Sequence, residues 1–477
     1  MVTEPRQPQR VAVVGGGITG LATAWRLAQL APDAAITLFE RDTRLGGKII
    51  TERIDGFTIE GGPDSFLSVK PRGVGLCQEL GLSESLQGTI EANRRTFVMK
   101  RGNLYPLPEG LTGLVPTKLG PILRGDLLSW FAKARFTFDF VLPPRRSTSD
   151  ETLAAFVQRR LGGEVYSRLI EPLMAGIYAG DGRKLSLAAT FPQLREAERQ
   201  HGSLIRGVLA TKRDANSDAP RPGFLTPRDG TGAIVTALEQ HLRATGVALC
   251  TGCGVTALTP VDSGYRLTLA SGEQQGFDAV ILATPAWATA PLLREVDAEA
   301  SRAITAIPHV SSATISLGYR TADLTRPPDG YGYVVPRSEG RPVLACTWTS
   351  NKWANRAPED HVLLRAFTGR AGQPDPLDQS DAELIQLARD EFRDTLGLTA
   401  DPVISRVYRW PDAMPQYNLG HLDRVGIAES RLAAWPGLAI AIAGNGYRGV
   451  GIPDCIRSGE TAADQVAARL ADASALD

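Results

Sequence analysis

The apolar pattern changes period early in the chain. Arg10-Val-Ala-Val-Val14 is an almost unbroken apolar run and predicts a buried parallel strand, and the Ala/Leu-rich stretch after it predicts a helix. A second run, Ala35-Ile-Thr-Leu-Phe39, predicts the neighbouring strand and delivers Glu40 at its end. From about Glu91 the period shortens. Thr96 to Lys100 and Asn103 to Pro106, around Arg101-Gly102, predict a hairpin in a different sheet. Gly113 to Arg146 then mixes Trp130, Phe131, Phe136, Phe138 and Phe140 with Lys118, Arg124, Lys133 and Arg135. Such helices form a core, line a ligand tunnel or rest on a membrane surface. Thr148 to Glu164 predicts an amphipathic helix capped by Ser149 or Asp150, with Leu153, Phe156, Val157 and Leu161 on one face. The polar stretch Thr211 to Arg221 predicts an exposed loop, open to early proteolysis.

The chain then resumes the first pattern. A helix is predicted from Gly230-Thr-Gly232 to about Ala244, followed by strands over Val247 to Val255, Gly264 to Leu269 and Ala279 to Ala283. Ser312 to Tyr319, Tyr331 to Val335, Pro342 to Thr347 and Val362 to Phe367 alternate like strands of the second sheet. Leu438 to Ala443 predicts a closing buried strand, and Pro453 and Asp454 open a helix to about Leu470.

Composition narrows the class. A chain of 477 residues, 43% hydrophobic and 22% charged, supports more than one core. Lys plus Arg equals Asp plus Glu at 52 each, which excludes a global field toward nucleic acid or an anionic bilayer. Met1 to Gln9 is polar rather than a signal segment. The longest apolar stretch, Ala279 to Leu293, is broken by Pro285 and Pro291, so an intracellular protein is expected. The five cysteines do not make a disulfide framework. Cys250 and Cys253 read as two half-buried thiols on a strand and turn, and neither they nor the histidines show metal-ligand spacing.

Candidate chemistry lies in the glycine-rich turns. Gly15, Gly17 and Gly20, separated by Gly16 and by Ile18-Thr19, stand where the first strand meets its helix. That spacing permits a tight turn, close approach of a pyrophosphate and close helix packing, and Glu40 is placed to accept from ribose hydroxyls. In Arg44-Leu-Gly-Gly47-Lys48, glycines lie between two cations able to neutralise phosphate. Glu60-Gly-Gly-Pro-Asp-Ser-Phe66 is a second close-approach turn. Gly176 and Gly180 bracket Tyr178 in a run that suits a flat ligand or tight helix packing.

The Arg44 to Lys48 segment resembles the Arg-x-Gly-Gly-Arg motif of FAD-dependent amine oxidases. Together with Gly62-Pro63-Asp64-Ser65-Phe66, Gly176-Ile-Tyr-Ala-Gly-Asp181, Arg409-Trp410, Met414-Pro-Gln-Tyr-Asn-Leu-Gly-His421 and Gly449-Val-Gly-Ile-Pro-Asp-Cys-Ile456, it resembles the protoporphyrinogen/coproporphyrinogen oxidase family over nearly the whole chain. The resemblance implies an α/β plus α+β fold of three parts. A discontinuous Rossmann-like FAD/NAD(P)-binding domain is expected over 1–90, 222–286 and 408–477. A substrate domain with an antiparallel sheet is expected over 91–112 and 287–407, and a helical lobe, membrane-touching in some members, over 113–221.

By residue, the resemblance sets non-covalent FAD against Gly15, Gly16, Gly17, Ile18, Thr19, Gly20, Glu40, Arg41, Gly47, Lys48, Gly62, Pro63, Asp64, Ser65, Val255, Trp410, Val450, Gly451 and Ile452. It sets a tetrapyrrole substrate near Lys70, Arg95 and Ile177, with the carbonyl of Gly176 orienting a pyrrole N–H. Lys352 and Arg365 lie in segments resembling the coproporphyrinogen-oxidising branch and are further candidate rim cations. The implied reaction is three successive two-electron oxidations of a porphyrinogen, hydride passing to the flavin and oxygen becoming peroxide, with no metal. Coproporphyrinogen III, with four carboxylates, is the expected substrate and protoporphyrinogen IX the alternative. The implied setting is the cytoplasm, with peripheral contact at the inner membrane face and a transfer partner in the haem pathway. An amine oxidase or carotenoid-desaturase-like enzyme, or a non-catalytic escort protein, would share the first motifs but not the later ones.

Overall fold

Arg10–Val14 is the middle strand of a five-stranded parallel sheet ordered Ala248–Thr251, Ala35–Glu40, Arg10–Val14, Ala279–Leu282, Ala439–Ile442. Both faces of this sheet are covered, which is why the strand is apolar throughout rather than alternating. Val11 and Val13 face a core with the helices Ile18–Leu30, Gly232–Ala244 and Ile452–Leu476. Ala12 and Val14 face a second core with the three-stranded sheet built on Val255–Val261 and the helix His421–Ala433. The computed structural model describes residues 8–108, 111–112, 115–116, 119–214, 223–262, 264–325, 327–435 and 439–476.

The second sheet has seven strands, in the order Ile404–Pro415, His309–Arg320, His361–Thr368, Val343–Trp348, Gly332–Val334, Thr96–Lys100, Asn103–Pro106. Its pairs are antiparallel except that between Gly332–Val334 and Thr96–Lys100, which is parallel. The chain leaves this sheet at Pro106 for the helical lobe and returns to it from another side. The strand Ile404–Pro415 runs through residue 408, where a domain border was expected, as one unbroken element of the seven-stranded sheet.

In the helical lobe the expected cap is corrected. The helix is Leu153–Leu161, and the hydroxyl of Thr152 accepts from Ala155 N. Asp150 instead takes the hydroxyl of Ser186 and the amide of Ala188, at the start of the helix Leu187–Thr190. The helix Leu204–Asp214 extends into the expected loop, and residues 215–222 lie outside the described ones, as do residues 1–7, Lys118 and Leu438.

Cys250 and Cys253 are not two free thiols. The turn at Gly252 brings their Cα atoms to 5.7 Å, within bridging reach, and they form a disulfide. No described helix is long and apolar enough to cross a membrane, and among the described residues no group of three or more His, Cys, Asp or Glu could hold a metal ion.

Candidate active site

Two glycine turns interlock at the carboxyl end of the parallel sheet. Gly15 has φ +111° and donates to Phe39 O at 2.7 Å, which turns the chain from strand to helix. A Cβ on Gly20 would lie 1.8 Å from Gly15 O, so helix and turn could not close on any other residue. Gly46 N donates to Gly16 O at 2.8 Å, laying the Arg44 to Lys48 turn along the first. A Cβ on Gly17, by contrast, would meet no protein atom nearer than Gly47 Cα at 4.0 Å. The protein's own packing does not demand a glycine at 17. The demand comes from whatever occupies the space in front of it. No side chain caps Ile18–Leu30 and no acid stands in its first turn, so the N–H groups at Ile18 and Thr19 remain for an anionic ligand. These residues fit a dinucleotide pyrophosphate.

Glu40 is almost buried, and its carboxylate accepts from Gly16 N at 2.6 Å and Asp42 N at 2.9 Å. It braces the cradle. Arg41 lies beside it, over the ring of Trp287, and Cys253 N donates to Glu40 O, which brings Val255 to the same end. The cations of the second turn differ from the expectation. Arg44 folds back onto the carbonyls of Leu45, Gly47 and Ile49, so it stabilises its own loop. Lys48 is half-buried and donates to Ala413 O at 2.6 Å; desolvation pushes its pKa down to about 8.

The Gly62-Pro63-Asp64-Ser65 turn passes so close to Lys48 that a Cβ on Gly62 would lie 1.8 Å from Lys48 O. Burial alone would raise the pKa of Asp64, but Lys352 and Arg365 hold it well below the usual carboxylate range. Its oxygens accept from Lys352 Nζ at 3.1 Å, Trp353 Nε1 at 3.2 Å and Ser65 Oγ at 2.7 Å. Arg365 is buried and donates to the carbonyls of Gly61 and Gly62 at 3.1 and 2.6 Å. Trp410 Nε1 donates to Gly61 O at 3.0 Å. Lys352 and Arg365, expected as rim cations, both bond to the Gly61 to Asp64 turn.

Gly176 and Ile177 are exposed near the end of the helix Glu171–Tyr178, and a Cβ on Gly176 would meet nothing within 4 Å. Ala179, in the left-handed region at φ +49°, returns its N–H to Ala175 O and ends the helix. The carbonyl of Gly176 thus falls among the last ones, which have no intrahelical donor. The other end of this helix is anchored where Glu171 meets Arg370 and the amide of Arg337. Lys70 pairs with Asp454 at 2.5 Å, and Asp454 also accepts from Gly451 N in the first turn of Ile452–Leu476. Val450 packs against the helical-lobe core that contains Tyr178. Glycine turns, helix end and closing helix thus converge. Arg95 stands apart, on the surface, paired with Asp329 at 2.7 Å.

Sequence reasoning quoted the Met414 to His421 motif but assigned roles to none of Gln416, Tyr417 and His421. All three are buried. His421 Nε2 meets Tyr447 O at 2.7 Å, and burial pushes the ring's pKa down to about 4. The unfolded chain takes up this proton near pH 6.5, whereas the folded chain refuses it until about pH 4. The contribution to stability is therefore complete above pH 6.5 and is lost as pH falls through that window, up to about 3 kcal/mol. Urea unfolding of the His421→Gln variant should lose less stability than the parent between pH 7 and 4. Parallel pH curves would contradict this.

Comparison with known proteins agrees with the geometry. Residues 18–467 match the family described as flavin containing amine oxidoreductase. The chain is 37% identical to the coproporphyrinogen III oxidase of Bacillus subtilis over 95% of its length and 97% of that protein's. It is 31% identical to the chloroplastic protoporphyrinogen oxidase 1 of Arabidopsis thaliana, covering 95% of the chain and 87% of that protein. The crystal structure of a proposed protoporphyrinogen oxidase from Exiguobacterium sp. 255-15 superposes with a TM-score of 0.86 at 33% identity, over 96% of this chain and 99% of that one.

Proposed function

The chain belongs to the flavin-containing amine oxidoreductases and, within them, to the protoporphyrinogen/coproporphyrinogen oxidase family, and we propose that it oxidises coproporphyrinogen III to coproporphyrin III. It is an FAD-dependent oxidoreductase. The observation that carries the substrate assignment is the near full-length kinship with the Bacillus subtilis enzyme. The geometry supports it through an open helix end, carrying Gly176 and Ile177, set against the cofactor loop.

FAD, when bound, would supply the acceptor for a hydride, and so for two electrons, from a porphyrinogen meso carbon. The chain's own work is positioning, because aromatisation of the macrocycle drives the reaction. The carbonyl of Gly176 accepts from a pyrrole N–H, and Ile177, 43% exposed, offers an apolar face to the ring. The positive end of Ile452–Leu476, at Val450 to Ile452, favours negative charge on the reduced cofactor. Asp454 opposes that effect at close range, and the ammonium of Lys70 compensates it. Lys70 is therefore read both as a substrate-side cation and as the partner of Asp454.

Oxygen is the proposed electron acceptor and peroxide the product. Peripheral membrane contact is supported by Trp130, Phe131, Phe138 and Val141, which are 78, 82, 54 and 75% exposed. That patch, on the cytoplasmic side of a membrane, is also where hand-over to a later enzyme of haem synthesis would take place. Protoporphyrinogen IX is the second reading. It is favoured by the commitment of Lys352 and Arg365 to the cofactor turn, which leaves fewer cations for four carboxylates.

The purified protein should be yellow, bleach when coproporphyrinogen III is added without oxygen, and recover its colour on aeration with one peroxide per two electrons. A yellow protein that bleaches with a primary amine and not with a porphyrinogen would replace this reading with amine oxidation.

A further inference from the structure

The six residues Gln416 to His421 follow the strand Ile404–Pro415 and lead into the helix His421–Ala433. Their side chains reach in two directions. Gln416 Nε2 donates to Tyr178 O at 2.8 Å, at the end of the helix that carries Gly176. Tyr417 Oη donates to Asn445 O at 2.6 Å and accepts from Gly449 N at 2.8 Å, so one phenol closes the loop Gly444–Gly451. His421 stacks on the Tyr417 ring, with centroids 3.9 Å apart and planes at 15°, and its Nε2 reaches Tyr447 O in the same loop. Main-chain bonds fix the segment to the helical lobe as well: Ser186 N donates to Tyr417 O at 2.8 Å and Leu419 N to Lys184 O at 3.0 Å.

We propose that Gln416, Tyr417 and His421 are positioning residues that hold the Gly176 helix end and the Gly444–Gly451 loop at one separation, so that the Gly176 carbonyl and the amides at Val450 to Ile452 address the same substrate and cofactor pair. The proposal rests on the porphyrinogen oxidase reading given above. Three features distinguish this cluster from ordinary packing. Tyr417 is fully buried, and a phenylalanine would fill its volume without a polar atom, yet the hydroxyl is kept and both its bonds go to the cofactor-side loop. Gln416 Oε1 is buried with no partner among the described residues, and the absent Cβ of Gly180 would lie 2.7 Å from it. A residue chosen for stability alone would not leave that acceptor orphaned. His421 Nδ1 likewise has no partner among the described residues, so the neutral ring carries its proton on Nε2 and donates it to Tyr447 O. A misplacement of about 1 Å between reacting groups costs on the order of a hundredfold in rate, which is the scale on which a clamp of this kind acts.

The test is Tyr417→Phe in the FAD-loaded enzyme, with bound FAD, visible absorption bands, flavin reduction potential, kcat and KM measured together. The expected result is FAD content near that of the parent, a shift in the flavin bands and potential, and kcat at least tenfold lower with KM within twofold. His421→Gln, which retains an N–H donor, should keep most of kcat, whereas His421→Ala should follow Tyr417→Phe. The proposal is overturned if the bands and potential of Tyr417→Phe equal those of the parent, or if kcat falls only in proportion to lost FAD. Absence of porphyrinogen oxidation in the parent would defeat the substrate reading instead, and the flavin bands and potential of Tyr417→Phe would then decide the clamp alone.

Discussion

Gly17→Val yields a folded but colourless protein. Within the cradle this position is separable from its neighbours, because a Cβ there meets nothing of the protein nearer than 4.0 Å. A valine can be built without disturbing the turn, and its methyl groups fill the space where the pyrophosphate must lie. Gly20 offers no such separation, since its Cβ would meet Gly15 O at 1.8 Å and any substitution disturbs the sheet core. The expected loss of FAD affinity is at least a hundredfold, about 3 kcal/mol. Absorbance of the purified variant reads it, and its thermal midpoint should match that of the parent stripped of FAD rather than fall further. A yellow Gly17→Val protein would contradict the assignment of the cradle.

Gly176→Leu should separate activity from stability in the opposite way. The site is an exposed helical position with open space in front, so the larger side chain meets no clash, and replacing a helical glycine adds about 1 kcal/mol of helix propensity. If the space is the substrate's, kcat/KM for the porphyrinogen falls by a hundredfold or more, about 2.7 kcal/mol, while FAD content and thermal midpoint hold or rise. Unchanged kcat/KM would place the macrocycle elsewhere and remove the Gly176 carbonyl from the reaction.

The sequence was most legible where a local rule and the global fold demand the same thing. Arg10–Val14 and Ala279–Leu282 are apolar because both faces of the sheet are covered, and apolar runs show that directly. Gly15 and Gly20 are glycines for backbone reasons that spacing alone reveals. Charges were the least legible. Arg365 and Lys352 look like ligand cations in a string of letters, but whether such a group meets a substrate or a partner in its own chain depends on contacts hundreds of residues away, as between Arg365 and Gly62 or Lys352 and Asp64. The Cys250 and Cys253 pair failed as a reading for a local reason. Composition argued for free thiols, while the turn at Gly252 set the distance. Glu60, buried and held by Thr51 and Thr231, and Arg356, which holds the carbonyls of Pro227 and Arg228, had no sequence signal beyond their residue type.

The most direct test is steady-state oxidation by the FAD-loaded protein under air, comparing kcat/KM for coproporphyrinogen III and protoporphyrinogen IX, with porphyrin fluorescence as the readout. A higher kcat/KM for the four-carboxylate substrate, with a greater loss on it than on the other when Lys70 is changed to Ala, is the predicted result. A preference for protoporphyrinogen IX, or equal losses in Lys70→Ala, would contradict the substrate assignment.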